Sequence, residues 1–178
     1  MKVSMSAPYP RSLIVSHKVL KALIKLNLLM GFLILALLIV SLVAEAPVMG
    51  ALGARPPGDS STLILGMRVI MVIGVCSVPL AHIVLTRLLA IVDTVSGRDP
   101  FVAENAARLQ TIAWSVLGLE LLHLAVGAVA ASASTKAHPL DIDWNFSLTP
   151  WLAVLLLFVL ARVFEHGARM RADLEGTV

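Results

Sequence analysis

The stretch Leu26–Ala44, LNLLMGFLILALLIVSLVA, decides the fold class. As α-helix its nineteen residues span about 28 Å, close to the roughly 30 Å hydrocarbon thickness of a bilayer. Only Asn27 and Ser41 within it are strongly polar. A chain of 178 residues has no soluble core large enough to hide such a run together with three more like it. The composition agrees: 58% of residues are hydrophobic, 14% are charged, and the mean hydropathy is +0.92. Soluble domains average about 45–50% apolar and about 25% charged, so lipid is the solvent this chain expects.

Three further runs reach span length. Leu63–Thr86 carries Arg68 near one end and His82 near the other, and Ile112–Ser132 contains Glu120 and His123. Leu148–Phe164 is opened by Pro150 and holds Arg162 near its close. None shows the alternation, over about ten residues, of a membrane β-strand. The reading is an all-α integral membrane protein with four transmembrane helices in a bundle. It forms a single domain over 1–178, with 1–20 as an N-terminal tail. Ala44-Glu45-Ala46 has the small-x-small form of a signal-peptidase site. The long preceding segment, the full-length apolar run and Pro47 after the candidate bond all argue for retention.

Charge fixes the expected orientation. Eleven of the fourteen lysines and arginines fall in the N-terminal segment, the middle connection and the C-terminal end. Only Arg55, Arg68 and Lys136 fall on the opposite side. By the positive-inside rule both termini and the middle loop are cytoplasmic. Trp144 and Trp151 flank the outer start of the fourth span, where interfacial aromatics sit. The outer connections, about 45–62 and 133–147, are short and rich in Pro, Gly, Ser and Asp, and read as loops. Cys76 is the single cysteine, which excludes an internal disulfide and a cysteine-built metal site. The net charge of +3 belongs to the membrane flanks, so direct nucleic-acid binding is not expected.

Helices two, three and four are expected to project into the cytoplasm. Leu88, Ile91, Val92 and Val95 continue a helical stripe to a terminator at Gly97, with Asp93, Thr94 and Ser96 on the other face. Asp99-Pro100-Phe101 reads as an N-cap, a proline at the first helical position and an apolar first turn, with Glu104 favoured by the helix dipole. Leu160, Val163, Phe164, Gly167, then Met170 or Arg171, and Leu174 define a stripe on helix four. The pairs Glu165/Arg169 and Arg169/Asp173 lie on its polar side. These extensions either pack on one another or offer a docking face to a partner helix.

The stretch Gly97-Arg98-Asp99-Pro100-Phe101-Val102-Ala103-Glu104-Asn105, with Leu109 following, has the form G-x-x-P-F-x-x-E-N-x-x-x-L. Near the end stand Phe164-Glu165-His166-Gly167 and Asp173-Leu174-Glu175-Gly176-Thr177-Val178. From roughly Lys21 onward the chain resembles the bacterial membrane family known as domain of unknown function 2975. In that pattern an F-x-x-G turn leads to a short acidic ending. The resemblance implies a four-helix fold in a bacterial inner membrane rather than any activity. It also implies a partner, because members are often encoded beside a small helix-turn-helix regulator of the Cro type. Many members end in D-L-T followed by Ile or Val, and this chain departs from that ending through Glu175-Gly176.

Glu120 and His123 are the deep ionisable pair. Their i,i+3 spacing places them on one helix face, roughly 12 and 16 Å from the inner edge of the third span. A charged group there costs about 2.5–3.5 kcal/mol on insertion scales, so it is expected to face protein or water. In the structural reading, Glu120 is protonated or bonded to a neighbouring helix. Ser77, Cys76 and the Val75 carbonyl freed by Pro79 are candidate partners, and His123 is a donor to that carbonyl. The functional reading is a proton relay. A metal site is not expected, because the single Glu-x-x-His unit lacks the second unit and the further glutamates of di-iron bundles. His82 reads as an interfacial or packing histidine, and Arg68 and Arg162 as snorkelling side chains. Gly127, Ala128, Ala130 and Ala131 suit close packing within the monomer or in a homodimer.

No catalytic motif, cofactor fingerprint or P-loop is present in the sequence. The expectation is therefore a non-enzymatic membrane protein without cofactors, surrounded by lipid and regulatory in role. The alternative is a small proton-coupled transporter built on Glu120. Small multidrug exporters share four helices and one deep glutamate, but theirs lies in helix one near aromatics.

Overall fold

The computed structural model describes residues 11–44, 61–96, 102–133 and 147–175. Those residues form four helices: α1 Arg11–Val43, α2 Ser61–Ser96, α3 Ala103–Ala133 and α4 Thr149–Glu175. All four are long and apolar enough to cross a membrane, and no strand occurs among the described residues. Each outlasts its apolar run. α1 begins at Arg11, well before the apolar run opens at Leu26, so the second half of the expected N-terminal tail is helix. α2 continues to Ser96 and α4 to Glu175. The expected F-x-x-G turn is absent, because Phe164–Gly167 lies inside an unbroken α4. The expected cap at Asp99-Pro100, and the outer loops with Trp144, lie outside the described residues.

The helices pack in chain order, α1 on α2, α2 on α3 and α3 on α4, each against its sequence neighbour. Short connections leave antiparallel neighbours, so the start of α1, the end of α2, the start of α3 and the end of α4 share one end of the bundle. This end carries the motifs and is called the motif end below. The buried apolar residues are small or few: Ala106, Leu109, Ile112, Ala113, Ala130 and Ala133 on α3, with Val154 and Ala161 on α4. α3 is therefore the centre, with α2 on one flank and α4 on the other. Phe32, Leu42, Leu65, Leu155 and Leu156 are more than half exposed, which costs nothing where the solvent is lipid.

α1 joins α2 through a seam of His17, Leu20, Ile24, Asn27, Gly31, Ile34, Leu38 and Ser41, all withdrawn from the surface. Their spacing alternates between three and four residues, as in a coiled-coil seam. Every polar residue on this seam bonds to α2. His17 Nδ1 meets Asp93 Oδ1 at 3.0 Å at the motif end. Asn27 Nδ2 donates to the Val78 carbonyl at 3.1 Å near the middle. At the far end Arg68 donates from Nε to Ser41 Oγ at 3.3 Å and from Nη2 to the Ser41 carbonyl at 2.7 Å. That carbonyl belongs to the last turn of α1, where acceptors lack intrahelical partners and a cation opposes the dipole. Arg68, near the start of α2, thus holds the end of α1.

Close approach is built in with glycine. A Cβ on Gly31 would stand 2.8 Å from both Val78 γ-carbons, and one on Gly66 would stand 2.6 Å from the Ala133 Cβ. Gly127 and Ala130 of the small-residue stretch are buried, whereas Ala128 and Ala131 are exposed. Pro79 sits inside α2 without ending it. At its far end α4 is capped by Ser147, whose Oγ accepts from the Thr149 amide at 3.3 Å.

Candidate functional site

At the motif end, α2 and α3 are locked by a polar knot. Arg108 Nη1 donates to the Ala90 carbonyl at 3.1 Å, to Thr94 Oγ1 at 2.5 Å and to Asn105 Oδ1 at 2.8 Å. Thr94 in turn donates its hydroxyl to the Ala90 carbonyl at 2.7 Å. Asn105 is fully buried, and its amide bonds the Val102 carbonyl at the first turn of α3. The asparagine of the motif therefore does structural work in the bundle. Asp93 and Thr94, expected on a polar face of α2, serve instead to tie α2 to α1 and to α3. Glu104 is exposed in the first turn of α3, where the dipole favours it. Gly97, Pro100 and Phe101 lie outside the described residues.

Between α3 and α4 the same end opens a furrow of about 1540 Å³. Ala103, Ala107 and Gln110 line the α3 wall. Trp114 and Phe158 close it toward the membrane, edge to face with centroids 5.1 Å apart. The α4 wall carries Arg162, His166, Arg169 and Met170, all exposed. Glu165 holds two of these cations, Arg162 three residues before it and Arg169 four after, so the i,i+4 pair read from the sequence forms. Phe164 and Gly167 are half-buried on α4 and Asp173 is exposed. The Leu174 side chain, Thr177 and Val178 lie outside the described residues.

Glu120 and His123 sit on α3 beyond the furrow. Glu120 is half-buried, His123 is exposed, and neither forms a hydrogen bond with a described residue. Their candidate partners on α2 are engaged elsewhere: Ser77 Oγ donates to the Gly74 carbonyl of its own helix, and Cys76 is exposed. The backbone tie at this depth of α2 comes from Asn27 of α1 rather than from His123. His82 is half-buried with Nδ1 enclosed and unpaired among the described residues. No group of three or more His, Cys, Asp or Glu side chains suited to a metal occurs among the described residues.

The residues that sequence reasoning missed are His17, Asn27, Ser41 and Arg108. A signal was present: the first three fall in register on one three-four seam, visible once helix spacing rather than hydropathy is followed. Arg108 sits three residues after Asn105 on the same helix face.

Four apolar helices in serial antiparallel contact, tied by polar side chains, define a multi-pass helical membrane protein. The sequence matches the model for the family described as Protein of unknown function (DUF2975) over residues 52–178, and the chain belongs to that family. The match takes in α2, α3, α4 and the C-terminal residues, and it begins after α1, later than the Lys21 start read from the motifs. No curated protein and no solved structure matches the chain.

Proposed function

We propose that this chain is a non-enzymatic regulatory component of a bacterial inner membrane. In this reading both termini are cytoplasmic, and a cytoplasmic protein docks in the furrow between α3 and α4. The observation that carries the reading is the furrow itself. It opens at the end of the bundle where α3 begins and α4 ends, outside the most apolar part of the helices. Small alanines on one wall admit a helix backbone, and the aromatic pair offers an apolar stop. Arg162, Arg169 and Arg171 outnumber Glu104 and Glu165 along it, so a helix with an acidic flank is favoured. A small helix-turn-helix regulator, implied by the family resemblance, is the partner to look for. The eleven basic residues on the termini and middle loop support the cytoplasmic placement of this end.

The test is a mild-detergent pull-down of the tagged full chain from its host, beside a chain lacking residues 174–178 and an Ala107→Trp chain. Ala107 is exposed in the furrow, so tryptophan fills it with little effect on the packed side. A small DNA-binding protein held by the intact chain and lost from both variants is the expected outcome. Equal capture by all three would remove the furrow from the account.

One observation favours a second reading, a small proton-coupled transporter. Glu120 lies mid-span with no hydrogen-bond partner among the described residues, and deep carboxylates mark proton pathways. Under this reading Glu120→Gln abolishes any activity that depends on the proton gradient. A variant that keeps every cellular activity of the parent would eliminate it.

A further inference from the structure

The first fifteen residues of α1, Arg11–Lys25, extend past the apolar run as helix. From residue 14 to residue 26 three stripes stand out. His17, Leu20 and Ile24 face α2. Lys18, Lys21 and Lys25, at i, i+3 and i+7, form an exposed basic stripe beside them. Val15, Val19, Leu23 and Leu26 form an exposed apolar stripe on the next flank, between 41% and 58% exposed. We infer that this emerging part of α1 is a binding surface for anionic phospholipid headgroups of the leaflet it leaves, with Lys18, Lys21 and Lys25 as the contacting residues.

Position, charge and pairing carry the inference. Measured from Leu26, the lysine Cα atoms lie about 1.5, 7.5 and 12 Å beyond the apolar run, across the headgroup layer. Their long side chains reach headgroup phosphates from there, and all three fall within about a Debye length of the surface. Residues 1–25 hold five basic residues and no acidic one, so nothing within this segment neutralises them. The carboxylate that α2 offers at this end, Asp93, is taken by His17. None of the three lysines has an ion-pair partner among the described residues. Arg87 on α2, one residue past its own apolar run, is exposed and adds charge at comparable depth. A basic stripe beside an apolar one is the arrangement of helices that lie against an anionic bilayer surface. The inference does not depend on the docking reading above, since the lysines are on α1 and the furrow is between α3 and α4.

The test uses the full chain in phosphatidylcholine vesicles doped with spin-labelled phosphatidylglycerol or spin-labelled phosphatidylcholine. The protein-restricted lipid fraction is read by electron paramagnetic resonance. The intact chain is expected to prefer phosphatidylglycerol several-fold, with about fivefold per lysine as the upper limit. The preference should fall in 1 M salt, where the screening length drops to about 3 Å. A Lys18→Gln/Lys21→Gln/Lys25→Gln chain should lose most of it, and the corresponding arginine chain should keep it. No preference in the intact chain, which needs no variant to fold, overturns the inference. So does a preference that survives the triple glutamine change. A dimer in phosphatidylcholine vesicles that the glutamine chain loses would assign the lysines to a second copy and overturn it as well.

Discussion

Replacing Arg108 with methionine is expected to lower the unfolding free energy by about 1.5–3 kcal/mol, the range for hydrogen bonds to a charged group. One guanidinium nitrogen serves the Ala90 carbonyl, the Thr94 hydroxyl and the Asn105 side-chain carbonyl, and Asn105 has no exposure to solvent. Methionine keeps the length and the apolar stem and removes only the donors. The Asn105 oxygen then loses the Arg108 bond at a site water cannot reach, which is costlier than losing a surface contact. Lysine should recover part of the stability, because it keeps the charge but not the planar fork. Reversible unfolding in mixed micelles measures all three chains. Arg87→Met is the control, since Arg87 is exposed at the same end without a partner among the described residues. A loss no larger for Arg108→Met than for Arg87→Met would mean the knot contributes nothing.

The four spans were legible because length and apolarity alone identify a membrane helix. Their ends were not, because hydropathy falls where the helix does not. Arg11–Lys25 is rich in Lys, Leu and Val, and lysine and leucine are good helix formers, so α1 runs through it while its hydropathy drops. The seam between α1 and α2 was hidden for the opposite reason. Inside LNLLMGFLILALLIVSLVA nearly every position is apolar, so a three-four pattern carries no contrast, and only Asn27 and Ser41 mark it.

The candidate site divides along similar lines. The Glu165/Arg169 pair follows from helix spacing, which is local. The bonding of Arg108 and Arg68 is tertiary and depends on which helix stands opposite. Arg68 illustrates this: its place near a span end is plain in the sequence, but its partner, the closing turn of α1, is not. Glu120 drew attention through depth, but depth does not say which face is covered. On α2 Ser77 bonds within its own helix, Cys76 faces outward and the Val78 carbonyl takes Asn27, so the expected tie has no counterpart among the described residues.

Gly31→Leu is expected to cost about 2–4 kcal/mol, from overpacking together with loss of the neighbouring Asn27 bond. The first added carbon alone would lie 2.8 Å from both Val78 γ-carbons. Val78 cannot swing aside easily, because a β-branched side chain in a helix has one strongly preferred rotamer. The helices must therefore separate at this level, and Asn27, one turn from Gly31, donates to the carbonyl of the same Val78. Val78→Ala in the Gly31→Leu background should restore much of the loss, and a simple sum of the two single effects would deny the contact. Gly31→Ala decides the sign of the local argument. Helix propensity alone favours alanine over glycine by about 1 kcal/mol, so an uncrowded position would gain stability. At Gly31 the crowding opposes that gain, and unfolding in mixed micelles should show a loss. A more stable Gly31→Ala chain would mean that α1 and α2 do not approach as closely here as the structure places them.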